Sequence, residues 1–100
     1  EPMVLAEAVY ALGLIGLNED NQVTIAIAQM LRNQNSRENP DNNLAYASLL
    51  ALERIATATG GIDDAMVMDA VLDIVGHGAY LRVVRLKATE TLYHMRGGGT

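Results

Sequence analysis

Three stretches of this chain repeat one another at a spacing of forty residues. Val4, Ala8, Leu12 and Ile15 align with Leu44, Ser48, Leu52 and Ile55, and those with Val84, Ala88, Leu92 and Met95, with no gap inside any set. Within each set the steps are those of one face of an α-helix. A looser series, forty-four residues apart, relates Val23, Ile27, Met30 and Leu31 to Val67, Val71, Ile74 and Val75. A unit of this length cannot bury its apolar side alone. Successive copies have to stack, each covering its neighbour.

Local signals divide the chain into five predicted helices: 2–17, 21–33, 43–57, 64–75 and 80–96. Pro2 suits a first helical turn, and Gly16-Leu17-Asn18 ends that segment. Asp20 is a candidate cap for the second helix, whose inward residues are expected to be Val23, Ala26, Ile27, Met30 and Leu31. "VTIAIA" alone has the period of a strand, but the spacing continues in helical steps through Met30 and Leu31. Within the polar run 33–43, "NQNSRENPDNN", residues 34–42 read as the longest loop, with Pro40 blocking helix and Asp41 or Asn42 capping the third helix. "TATGG" stops the third helix, Asp63 or Asp64 starts the fourth, and "GHG" at 76–78 separates the fourth from the fifth. Residues 1–96 are thus expected to form one helical domain, and 97–100 a flexible tail.

The 2–17 segment carries one charge after Pro2, Glu7, and "AVYALGLIG" leaves no side clearly for water. Such a helix needs neighbours on most sides, which stacking supplies. Composition agrees. Half of the residues are hydrophobic, yet only 4% are aromatic and neither Phe nor Trp occurs. A core of Ala, Val, Ile, Leu and Met favours closely packed helices over a β-sandwich. The net charge of −5 is opposite to what phosphate binding needs. With no cysteine there is no disulfide frame, thiolate metal site or thiol nucleophile. No apolar run is long enough to span a bilayer. Because the chain opens on Glu1-Pro2 and not on Met, we expect a piece cut from a longer protein.

The repeat resembles the HEAT-type α-solenoids, closest to the short bacterial kind also seen in phycobilin-lyase-like proteins. Their inner helix carries Val-Arg, Ala, Ala-Leu-Gly and Ile-Gly. This chain has Val4, Ala8, Ala11-Leu12-Gly13 and Ile15-Gly16 at that spacing, with Leu5 in the usual place of Arg. The last helix has Val83-Val84-Arg85, Ala88, Glu90 and Leu92, and the middle one keeps Ser48, Ala51-Leu52 and Ile55. The resemblance implies an all-α solenoid of five antiparallel helices, about two and a half repeats, in the order inner, outer, inner, outer, inner. Inner helices would line a concave face. The resemblance speaks for the fold and barely for activity.

On a helical wheel the side opposite the repeating apolar face carries Tyr10 in the first inner helix. The middle one carries Tyr46, Leu50 and Glu53, and the last carries Glu90 and Tyr93. Three of four tyrosines share this stripe. Tyr is broad, amphipathic and loses little entropy on binding, so a groove for a protein or peptide is expected. The competing reading is padding between neighbouring inner helices. Glu53 and Glu90 are paired by register, but nothing in the sequence supplies a pocket for acid–base work. Asp69, Asp73 and His77 stand at i, i+4 and i+8, where Gly76 interrupts the helix, so a solvated face is expected and not a metal site. His94 has no evident partner. Arg82, Arg85, Lys87 and Arg96 make the last helix basic, consistent with local ion pairs or an acidic partner. "TATGGIDD" lacks the Gly-Lys-Ser/Thr of a phosphate loop.

The expected function is therefore a non-enzymatic interaction scaffold that needs no cofactor and takes a protein or peptide on its concave face. Two alternatives stay open: a chromophore-lyase-like or other modifying role, which rests on family analogy, and nucleic-acid binding, against which the charge argues. The compartment, cytoplasmic or exported, is open. Leu5, Val9 and Leu12, with Gly16, line one flank of the first helix. An uncapped solenoid end tends to associate, so a homodimer through this flank is expected, with Leu5→Glu shifting it to monomer.

Overall fold

The computed structural model describes residues 21–97. All regular structure among them is helical: α1, Gln22–Asn35; α2, Asn42–Thr59; α3, Ala65–Val75; α4, Arg82–Met95. The expected 2–17 helix lies outside the described residues, together with Leu5, Val9, Tyr10 and Leu12, and so does the tail after Gly97. "VTIAIA" is helix, as the longer spacing requires.

Each boundary has a local cause. Asp41 caps α2 by accepting from Leu44 N at 3.0 Å. Asp64 caps α3 by accepting from Met66 N at 2.9 Å and Val67 N at 3.2 Å. Both satisfy amides that a helix start leaves orphaned. Asn42, the other candidate cap, accepts instead from Leu81 N at 2.9 Å and so ties the start of α2 to the start of α4. Gly60 ends α2 at φ 87°, the left-handed turn that suits glycine. Gly61 comes next at φ 139°, where an added Cβ would stand 2.9 Å from Met95 O. This close passage lets Ile62 N donate to Met95 O at 2.9 Å, joining the end of α2 to the end of α4.

α2 packs along α4 and α1 along α3, while α3 also packs on α4 and α1 touches α2 more lightly. Helices two apart in sequence are thus spatial neighbours. Across the α2–α4 seam the buried Thr91 hydroxyl donates to Leu49 O at 3.2 Å, while the fully buried Ser48 of α2 turns to α1, its Oγ 3.8 Å from Met30 Sδ. Leu31, Leu49, Leu52, Ile55, Val71 and Ile74 form the fully buried centre.

Two expectations about α1 are corrected. Ala26 is exposed, Val23 and Met30 are half-buried against the core, and Thr24 and Ala28 are buried instead, so the buried face is displaced by about one residue from the expected one. The polar run also begins later than its composition suggests. Gln34 and Asn35 belong to the helix and are buried, because each replaces water with a protein partner. Gln34 Oε1 accepts from Asp41 N at 2.9 Å, and Asn35 Nδ2 donates to Ala70 O at 3.1 Å. Asn35 Oδ1 accepts from the Tyr80 hydroxyl at 2.5 Å. His77 Nε2 meets Asn35 O at 2.7 Å, and its Nδ1 accepts from Ala79 N at 3.3 Å. The two contacts together place the imidazole proton on Nε2. This polar knot joins α1, α3 and the 76–81 connection.

Candidate functional site

The stripe expected from register exists on α2 and α4, and its centre is Lys87, which the sequence alone presents as an ordinary surface cation. Lys87 is buried, with 11% of its side chain exposed, and its ammonium sits 2.8 Å from Glu53 Oε2 and 3.3 Å from Glu90 Oε2. The same nitrogen lies 5.9 Å from the centroid of the Tyr46 ring. On the far side of Glu53, His94 Nε2 approaches Oε1 to 3.8 Å. The His94 ring meets the Tyr93 ring edge to face at 5.6 Å. Tyr46, Lys87, Glu53, His94 and Tyr93 therefore form one connected line across two helices, with Glu90 attached at Lys87.

Helix geometry explains the line. Tyr46, Leu50 and Glu53 stand at i, i+4, i+7 on α2, and Leu86, Glu90 and Tyr93 do so on α4. The forty-residue register brings these rows side by side. Lys87 lies at the seam, and its aliphatic stem is buried between the helices while the ammonium reaches the carboxylates. Burial by itself lowers the ammonium's pKa, but the hydrogen bonds and charges of Glu53 and Glu90 outweigh it and leave the pKa raised. Lys87 is cationic throughout the neutral range.

Exposure grades along the line. Glu53 keeps 19% of its side chain in contact with solvent, whereas Glu90 keeps 63%. Tyr46 and Tyr93 are exposed, Leu86 is exposed, and Leu50 is half-buried. One ammonium stands between two carboxylates, so the cluster carries net negative charge, and the accessible part of it is the Glu90 carboxylate. Tyr10, the remaining residue of the expected stripe, lies outside the described residues. His94 is not a bare surface residue: it is half-buried against Glu53 and Tyr93. Sequence reasoning misses Lys87 and His94 because each looks like a solvated polar residue on its own helix. Their partner is on α2, and only the forty-residue register applied to polar positions points to it.

Asp69 and Asp73 are exposed on α3, while His77 is turned to the Asn35 carbonyl. Among the described residues no group of three His, Cys, Asp or Glu side chains could hold a metal ion. No helix among them is long and apolar enough to cross a membrane.

No protein-family model, curated protein or solved structure matches this chain.

Proposed function

We propose that this chain is a HEAT-like solenoid segment that acts as a non-enzymatic interaction scaffold, taking a protein or peptide segment on the face shared by α2 and α4. The observation that carries the reading is the Tyr46–Lys87–Glu53–His94–Tyr93 line with the exposed Glu90 beside it. The alternate pairing of helices, α1 with α3 and α2 with α4, supports an inner and an outer layer.

Two exposed rings, an accessible carboxylate and the exposed Leu86 offer apolar contact and one strong acceptor, the usual composition of a recognition surface. The complementary partner carries a basic side chain flanked by apolar ones. Arginine fits best, because its planar fork pairs with a carboxylate and stacks on a tyrosine ring. Phosphate would be repelled by the same charges.

The test is selection of a random peptide library on the immobilised chain. Enrichment of arginine-bearing peptides whose binding weakens in both Tyr46→Ala and Glu90→Gln is the expected result. Peptides indifferent to both substitutions would overturn the assignment of this face.

A further inference from the structure

A second surface, on other flanks of α3 and α4, points to a different partner. Leu72, Val75, Thr89, Leu92, Tyr93 and Arg96 line an open cleft between these two helices. Leu92 is its floor, at 9% exposure, while Leu72 and Val75 are 46% and 36% exposed. Only Tyr93 also borders the face described above.

The internal repeat says what such a cleft is shaped for. Forty-four residues before Leu72 and Val75 stand Ala28 and Leu31 on α1. Forty residues before Thr89, Leu92 and Arg96 stand Leu49, Leu52 and Ala56 on α2. All five of these counterparts are at 0% exposure. α1 is covered by α3 lying along it. The equivalent positions one unit later are open among the described residues. A helix laid on α3 as α3 is laid on α1 would cover Leu72 and Val75.

α3 also shows the chemistry that fits. Its buried stripe is Val67, Ala70, Val71 and Ile74, at i, i+3, i+4 and i+7. That stripe is already used within the fold, so a folded second copy has no α3 to offer. The charges select further. Arg85, Thr89, Leu92 and Arg96 share one flank of α4, and among the described residues no carboxylate lines the cleft. Arg85 is half-buried, and its Nε finds no hydrogen-bond acceptor among the described residues. That Nε is sealed from solvent, so the cation that a carboxylate from outside can reach is the exposed Arg96 in the cleft lining.

We propose that this cleft receives an amphipathic helix of another protein, about three turns long, with apolar residues at i, i+3, i+4 and i+7 and carboxylates toward Arg96. The probe is a fluorescein-labelled peptide with the sequence of residues 63–76, which has that apolar stripe and four aspartates. Fluorescence anisotropy with the full chain should show saturable binding. Leu72→Glu and Arg96→Glu should each weaken it about tenfold or more, and a peptide with Lys in place of the aspartates should bind more weakly. Leu72 is exposed, so circular dichroism of Leu72→Glu should match the parent. Tyr46→Ala should leave this binding unchanged, which separates it from the tyrosine-bearing face. Absence of saturable binding, or equal binding by the Leu72→Glu variant, would overturn the proposal. So would a parent chain that sediments as a dimer while Leu72→Glu is a monomer, since the occupant would then be a second copy.

Discussion

The Tyr80 hydroxyl donates to the side-chain oxygen of Asn35 across forty-five positions of sequence. Tyr80 is 2% exposed and precedes α4, while Asn35 ends α1. Asn35 in turn donates to Ala70 O of α3, and its carbonyl meets His77. One polar residue thus ties three segments that the apolar core alone would leave free to slide.

Removing the hydroxyl leaves the buried Asn35 oxygen without its donor. Tyr80→Phe keeps the ring's volume, so the loss is polar: about 1–3 kcal/mol for an acceptor left unsatisfied. Each kcal/mol moves the melting midpoint by about 4–8 °C in a domain of this size. Thermal unfolding monitored by circular dichroism should show that drop, while Tyr46→Phe, at an exposed ring, should not.

Alkaline pH acts on two groups with the same sign. Burial, and secondarily the charge of Asp73, pushes the Tyr80 phenol up to about 12 from its ordinary 10.0. Above pH ~10 the unfolded chain gives up this proton while the folded chain keeps it, so stability falls as pH rises toward 12. Lys87 is raised above 10.5 when folded. Its contribution is fully present below that value and is lost as pH rises through the folded pKa. The urea midpoint should fall steeply between about pH 9.5 and 11.5, and less steeply in Tyr80→Phe. An equal slope in that variant would place the titration elsewhere.

The helical class and the four described helices were legible because apolar spacing is a local property. Their bounds differ from the expected ones by no more than two residues at either end. The tyrosine stripe was legible for a related reason: register carries one face onto the next helix. Asn35 was not, because a polar residue in a polar run looks the same whether it faces water or Ala70. Its burial depends on partners thirty-five and forty-five positions away. Lys87 was hidden likewise, since nothing on its own helix marks it as the counter-ion of Glu53.

Lys87 is the ammonium paired with the largely buried Glu53 carboxylate, so removing it should expose the cost of Glu53. Lys87→Met keeps the buried stem and deletes the ammonium, leaving the Glu53 carboxylate, with 19% of its side chain exposed, without its ammonium partner at 2.8 Å and with His94 at 3.8 Å. We expect a loss of about 1–3 kcal/mol, below the ~3–5 kcal/mol of a fully buried pair. Adding Glu53→Gln should recover most of it, a coupling that a double-mutant cycle measures. Glu90→Gln alone, at an exposed carboxylate, should change the midpoint by less than about 1 kcal/mol.

Tyr46 separates recognition from packing. Its ring is exposed, and the Lys87 ammonium lies 5.9 Å from its centroid, a contact worth under about 1 kcal/mol at a surface. Tyr46→Ala should therefore leave the melting midpoint within a few degrees of the parent. If the ring anchors a bound segment, the same change weakens binding of the selected arginine peptide by about 1–2 kcal/mol, a factor of roughly 5–30. Glu90→Gln should weaken it through the lost carboxylate. The two effects should combine less than additively, because one arginine stacked on the ring and paired with the carboxylate uses both at once. Isothermal titration of the four variants in the cycle gives the coupling. Full additivity would mean that ring and carboxylate meet different parts of the ligand. A binding loss that merely tracks a large fall in the midpoint would make Tyr46 a packing residue.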